Sequence, residues 1–442
     1  MPAPGGADAR PTVLLIGTVD TKSDEIAFLR DRIVQLGART LVMDVGVLGR
    51  GHVRPDICNT EVAQAAGVTL QQVIASGDEN TSMTLMSRGA TRLAAEWHAQ
   101  KRFDGLLALG GTMGTDLALD VANALPLGVP KVMLSTIAYS HLIPAERIPP
   151  DLIMRLWAGG LYGLNRLCKA ALSQAAGAVV GACLAHQDQE ISDPRPVVGM
   201  TSLGSSVLKY MTLLKPELEA RGYELAVFHT TGMGGRAFED LAAKGFFAAV
   251  MDFSLQELVN HFAGSCVTSG ADRLRGAGRA GVPQLVAPGA TDMVDHAAWA
   301  TPPQRYAGRP SHAHNRLIAS VCVDPAMRRE VAAAIGERLA EANGPTCVLL
   351  PLQGIEEWDR PGELLHDPDG LAALVDELPR RLAPSTRLVT VDAHINDAAF
   401  ANAALRVFDE WVLQGRVPAG HAPAGVSARM SARMSAGGPA RT

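Results

Sequence analysis

From Leu106 to Val121 the chain reads Leu-Leu-Ala-Leu-Gly-Gly-Thr-Met-Gly-Thr-Asp-Leu-Ala-Leu-Asp-Val. The four leading apolar residues, without polar alternation, make a short buried strand. Glycines and threonines follow, and then Leu117, Val121 and Leu125 recur at helical spacing. A strand that ends in a glycine-rich turn and opens a helix is an anion cradle. Its backbone N–H groups and the positive end of the helix dipole point at one place. Glycine lets the backbone approach a phosphate, and threonine hydroxyls can donate to its oxygens. Gly110, Gly111, Thr112, Met113, Gly114 and Thr115 are therefore candidate phosphate-binding residues. The run fits neither G-x-G-x-x-G nor the P-loop with its Lys-Ser/Thr ending. A tight strand-to-helix turn with no ligand uses the same residues.

The same grammar opens the chain. Thr12–Gly17 is apolar enough for a buried strand, Ile26, Leu29, Ile33 and Leu36 have helical spacing, and Thr40–Val45 is the next strand. A β-α-β crossover implies parallel strands, and ligands bind at their carboxyl edge. Thr18, Asp20, Thr21 and Lys22 fall in the first such turn. Helix capping accounts equally well for Asp20 and Thr21, but a cation at a helix start opposes the dipole, so Lys22 is the more informative residue. A glycine-rich loop, Gly46–His52, carries Arg50, and the strand Lys131–Leu134 ends in Ser135-Thr136. Several strands thus deliver Gly/Thr/Ser turns to one edge.

A polar stretch with two prolines near residues 188–196 reads as a linker, and a second unit repeats the pattern. Its strand Pro196–Met200 runs into Thr201-Ser-Leu-Gly-Ser205-Ser206, and Glu224–Phe228 runs into His229-Thr-Thr-Gly-Met-Gly234-Gly235-Arg236. Further strands are expected at Ala248–Asp252, Val282–Pro288, Val321–Asp324, Thr346–Pro351 and Arg387–Asp392, with Thr301–Pro310 an irregular loop. The glycines again suit an anion, with Arg236 as its counter-charge. Thr201, Ser205, Ser206, Gly234, Gly235, Arg236 and Asp292 are candidate substrate-binding residues. His229 and His394 are candidate general bases, with Asp392 as orienting carboxylate. Each histidine could instead be a partly buried residue satisfied at a strand end. His312 and His314 could join His394 at a metal, but His-x-His alone fixes none, and no metal ligand is assigned. The serine-hydrolase elbow and the H-E-x-x-H motif are missing.

A length of 442 residues suits two or three domains, and a hydrophobic content of 47% is ample for their cores. The net charge of −5 argues against a nucleic-acid or anionic-membrane surface. No 18-residue apolar run is evident by eye and no secretory signal begins the chain, and the six scattered cysteines suit a reducing cytoplasm. The expected layout is a disordered start at 1–11, a nucleotide-binding domain at 12–187, a linker at 188–196, a second domain at 197–415 and a disordered tail at 416–442.

Motifs along the whole ordered chain resemble one family. They are Ile16-Gly-Thr-Val-Asp-Thr-Lys22, Gly110–Thr115, Gly199-Met-Thr-Ser-Leu-Gly-Ser-Ser206, Phe228–Arg236, Ser269-Gly-Ala-Asp-Arg273 with Gly278–Pro283, Pro288-Gly289 and His394-Ile-Asn-Asp397. The chain is similar to the bacterial and plant ATP-binding proteins related to the tobamovirus-resistance protein of tomato. The resemblance implies an α/β protein of two Rossmann-like domains, each a mostly parallel sheet flanked by helices, and a homodimer. It also implies ATP in the first domain, against Gly17, Thr18 and Val19, the Arg50 loop, the helix start near Met83–Met86, Gly110–Gly114, and Ser135-Thr136. The stretch Asn80-Thr-Ser-Met-Thr-Leu-Met-Ser87 departs from the Gly/Asn-containing pattern of the family. Mg²⁺ would accompany the nucleotide near Asp20 or Asp116. The expected function is an ATP-binding cytoplasmic enzyme acting on a small anionic metabolite at an interdomain cleft. The alternatives are a nucleotide-dependent regulatory protein without catalysis, and an ATP-independent enzyme whose glycine turn holds a substrate phosphate. Neither nucleic acid nor membrane is expected as a partner.

Overall fold

A computed structural model describes residues 10–187 and 193–421. Contacts divide the chain into two compact units, with the division between residues 191 and 192. Residues 188–192 of the linker expected at 188–196, the first nine residues and the tail from 422 lie outside the described residues. Two corrections concern the ends that are described. Pro11 is buried and its carbonyl accepts from the Arg39 N–H at 2.8 Å. At the other end Val417 is 1% exposed, and the Tyr223 hydroxyl donates to the Pro418 carbonyl at 2.7 Å. Both segments were expected to be disordered, but each buries a residue and makes backbone bonds.

The N-terminal unit runs β1 (Thr12–Gly17), α1 (Val19–Gln35), β2 (Arg39–Asp44), α2 (Asn59–Ala65), α3 (Leu70–Ala75), α4 (Glu79–Ala99), β3 (Gly105–Gly110), α5 (Thr112–Ala124), β4 (Lys131–Ser135), β5 (Leu152–Leu156) and α6 (Arg166–Gln187). Its sheet has the order β2-β1-β3-β4-β5, and every pair is parallel. The continuous apolar runs follow from burial on both faces. Leu14, Ile16, Leu106 and Ala108 pack with α4 and α5, while Val13, Leu15, Leu107 and Leu109 pack with α1 and α6. The chain leaves β1 to form β2 on one side and returns to place β3 on the other. The carboxyl ends of β1 and β3 thus flank a topological switch point, where such sheets open a crevice. Residues Arg166–His186 of α6 are long and apolar enough to cross a membrane by length and composition, which the sequence reading missed. Here Leu172, Ala175, Ala176, Val179 and Cys183 of that helix are buried against the sheet.

The C-terminal unit begins β6 (Val197–Ser202), α7 (Lys209–Ala220), β7 (Glu224–His229), α8 (Met233–Ala243), β8 (Ala249–Asp252), α9 (Gln256–Ala263), α10 (Gly276–Arg279) and β9 (Gln284–Val286). A small antiparallel sheet follows, built from β10 (Met293–Ala297), β11 (Ser311–Ala313) and β12 (Ile318–Cys322) in the order β10-β12-β11. The chain closes with α11 (Pro325–Leu339), β13 (Thr346–Pro351), α12 (Pro368–Arg381), β14 (Arg387–Val391) and α13 (Ala398–Leu413). The main sheet, β14-β13-β9-β8-β6-β7, is again entirely parallel, with a second switch point between β6 and β8. Residues 321–324, expected to continue the main series, belong in part to β12 of the inserted sheet. The two partners of β12 are short and carry polar residues at Asp295, His296, Ser311 and His312, so no apolar run announces them.

Candidate functional site

The strand β3 ends at Gly110 and α5 starts at Thr112, so the turn is one residue long. A Cβ on Gly110 would lie 2.6 Å from the Gly114 Cα, so only glycine lets the turn close. Gly111 is the N-cap, in extended geometry, and supplies no side-chain cap. The N–H groups of Thr112, Met113 and Gly114 therefore begin α5 without a capping partner and carry its positive end. They open on a cavity of about 840 Å³ lined by Gly110–Gly114, by Thr18, Asp20, Thr21 and Lys22, and by Asp78, Glu79, Ser82 and Met83. Val47, Leu48, Ile74 and Tyr162 form its apolar wall. Sites for small ligands have about this size.

The loop after β1 is built by its own carboxylates. Asp44 Oδ1 accepts from the N–H groups of Val19 and Gly46 at 3.0 and 2.8 Å, tying the β1 and β2 loops together. Burial raises the Asp44 pKa against these bonds. Asp20 Oδ2 accepts from the Leu48 N–H at 2.6 Å, while its Oδ1 is buried with no partner. Lys22 leaves helical geometry (φ −131°, ψ 26°), so Val19–Thr21 form a turn ahead of the helix proper. The Lys22 ammonium stands 4.9 Å from the centre of the Tyr162 ring.

Other expected nucleotide residues sit behind the cavity. Gly17 is buried, and a Cβ there would lie 2.9 Å from Leu109 Cδ2. Val19 is 1% exposed and packs in the core. Thr115 and Ser135 are buried and their hydroxyls bond each other at 2.7 Å, so they fasten α5 to β4. Thr136, whose N–H donates to the Gly110 carbonyl at 3.2 Å, and the exposed Arg50 are not among the lining residues. Met86 is fully buried, and Asp116 accepts from Arg147 at 2.6 Å away from this cavity. Sequence reasoning missed Asp78, Glu79 and Tyr162. The signal for Asp78 and Glu79 was the polar loop Ser76–Asn80 before α4, in which Asp78 is the N-cap.

The second switch point is arranged differently. The glycine turn before α8 already holds an anion, because Glu257 Oε1 accepts from the N–H groups of Gly232 and Gly235 at 2.6 and 3.2 Å. Arg273, fully buried, donates to Glu257, Asp252 and Glu239. Burial pushes the Glu257 carboxyl up to about 7 against the pull of Arg273. A Cβ on Gly234 would fall on the His229 carbonyl, and one on Gly235 on the Glu257 carboxylate. These glycines serve internal packing, which corrects the reading of Gly234 and Gly235 as a substrate-anion cradle. Thr201 is likewise internal, with its hydroxyl donating to Asp252 Oδ1 at 2.8 Å.

The two candidate bases separate. His394 is 1% exposed; its Nε2–H donates to the Glu356 carbonyl at 2.8 Å and its Nδ1 accepts from the Asn396 N–H at 3.1 Å. Both nitrogens are engaged, so His394 is a structural residue and not a free base. Burial, with Arg360 nearby, keeps it below the usual histidine range. Asp392 is exposed and accepts from Gln353 instead of orienting His394. His229, by contrast, lines a second cavity of about 200 Å³ with Ser205, Ser206, Thr231, Gln256, Asp295 and His314. No Lys or Arg lines it, which removes the expected anion counter-charge. His314, read in the sequence only as a metal candidate with His312 and His394, lines this cavity from the turn between β11 and β12, while the His312 ring stacks on Trp358 at 4.2 Å. Asp292 is fully buried with neither oxygen hydrogen-bonded, and Glu356 Oε1 is likewise orphaned. Among the described residues no group of three or more His, Cys, Asp or Glu side chains is placed to hold a metal ion.

Two family models cover the chain, both described as an uncharacterised protein family (UPF0261). The N-terminal domain model matches residues 11–188 and the C-terminal domain model residues 195–412. The chain is 53% identical over 411 residues to a UPF0261 protein of Brucella melitensis, covering 93% of this chain and 98% of that one. A UPF0261 protein of Clostridium tetani is 33% identical over 392 residues, covering 88% and 96%. The ToMV resistance protein Tm-1 of Solanum lycopersicum is 29% identical over 441 residues, covering 90% of this chain and 56% of the tomato protein. The chain belongs to the UPF0261 family.

Proposed function

We propose that this protein binds ATP at the N-terminal switch point and is a cytoplasmic, homodimeric enzyme acting on a small molecule. One observation carries the proposal: three uncapped amides at the start of α5 open on a cavity of nucleotide size whose opposite wall is apolar. The triphosphate would take the amides of Thr112, Met113 and Gly114, with Lys22 as a nearby cation. The base would lie towards Leu48, Ile74 and Tyr162. Mg²⁺ suits the orphaned Asp20 Oδ1, since oxygen ligands hold that ion, whereas Asp116 is taken up by Arg147. Six free cysteines are compatible with a reducing compartment. In the second unit His229 is the remaining candidate for proton transfer.

Calorimetry with ATP and Mg²⁺ on the wild type and Gly111→Val tests this reading. A Cβ at Gly111 meets only the Thr136 hydroxyl, at 3.8 Å, and the backbone there is extended, so the variant folds. Its side chain stands in the cradle. The expected result is wild-type binding, and a loss of at least ~100-fold in affinity in the variant at little changed melting temperature. Equal affinity in both proteins contradicts the assignment.

A further inference from the structure

We infer that the 200 Å³ cavity at the carboxyl edge of β6 and β7 binds a small, uncharged, hydroxyl-rich molecule, a polyol or an open-chain sugar. This deepens the proposed function, resting on its placement of a small-molecule site in the second unit, but not on ATP binding. Gln256 provides the first observation. It is 0% exposed, and its Nε2 donates to Asp295 Oδ1 at 2.7 Å. A carboxylate only accepts, so the amide has one orientation, and Oε1 is left as a buried acceptor with no partner in the lining of the cavity. Asp295 also accepts from Ser320 at 2.5 Å and Asn260 at 3.0 Å, so both of its oxygens are engaged.

The same logic sets both histidines. The Ser320 hydroxyl spends its proton on Asp295, so it accepts from His314 Nε2–H at 2.7 Å, and His314 Nδ1 is left as an acceptor. Gly204 N–H donates to His229 Nδ1 at 3.3 Å, so the proton sits on Nε2, a donor. Burial keeps both rings neutral, His314 at about 4. The lining therefore offers two neutral acceptors, one neutral donor, the hydroxyls of Ser205, Ser206 and Thr231, the Asn315 amide and the Asp295 carboxylate, with no Lys or Arg. A carboxylate or phosphate brings only acceptors to Gln256 Oε1, and an ammonium brings only donors to His229. A hydroxyl gives and accepts, and satisfies both. The volume holds about six or seven water-sized groups, the scale of a three- or four-carbon polyol.

The test is saturation-transfer NMR on the full chain with erythritol and with its carboxylate analogue, erythronate. The expected result is erythritol binding at about 1 mM, with erythronate at least ~10-fold weaker. Gln256→Leu weakens erythritol by ~10-fold and Ser205→Ala by ~3-fold. Ser205 is exposed, so that variant tests the site even if Gln256→Leu fails to fold. Failure of erythritol to bind, equal or tighter binding of erythronate, or wild-type affinity in Ser205→Ala overturns the inference. ATP calorimetry on the same samples separates the two readings. Loss of polyol binding with ATP retained rejects only this inference, and the reverse rejects only the nucleotide site.

Discussion

Gly111, the N-cap of α5, and Gly235, in the first turn of α8, both stand at helix starts but answer to different constraints. A side chain at Gly111 has open space, whereas one at Gly235 would fall on the Glu257 carboxylate, which is buried and held by Arg273. Gly235→Ala is therefore expected to lower stability by ~2–4 kcal/mol, read by urea denaturation, because neither Glu257 nor Arg273 can move without losing a buried partner. A loss below ~0.5 kcal/mol would show that the network yields. The sequence alone does not separate the two turns. Glycine spacing signals close approach of something to the backbone, but whether that is a ligand or a distant glutamate depends on where residue 257 folds. For the same reason His394 reads as a base in the sequence, while its two backbone partners, Glu356 and Asn396, consume both of its nitrogens.

Among the elements, the strands and helices of the parallel sheets were largely legible, since burial on both faces leaves unbroken apolar runs such as Leu14–Ile16 and Leu106–Leu109. The inserted sheet was not, because its strands alternate with polar residues that bond inward, Asp295 and Ser320 among them. That insertion is what brings His314 beside His229 in one cavity. The α5 helix shows how an element supports a site without touching a ligand. Thr115 in its first turn bonds Ser135 at the end of β4, which anchors the cradle to the sheet. Ser135→Ala is expected to cost ~1 kcal/mol of stability by urea denaturation and to leave ATP affinity within ~3-fold by calorimetry. A ~100-fold loss of affinity would instead put Ser135 in contact with the nucleotide.

For the molecule as a whole, the buried acids of the C-terminal unit govern its pH response. Burial and the charges of Asp359 and Asp367 push Asp292 above the carboxylate range, though Arg328 pulls it down, and burial and the charge of Asp292 push Glu356 up. Both hold protons in the folded chain that the unfolded chain releases near pH 4. The native state thus binds more protons over the range above that, and stability falls as pH rises through the raised values. The wild-type melting temperature is expected to decline from pH 5 to 9. Glu356→Gln, which cannot ionise, should flatten that decline; the same slope in both proteins would place the effect elsewhere. The central claim concerns the other unit, and a crystal structure with a bound ATP analogue and Mg²⁺ tests it most directly. The account predicts triphosphate oxygens within about 3 Å of the Thr112, Met113 and Gly114 amides, with the base towards Tyr162. A triphosphate bound away from the start of α5 would contradict it.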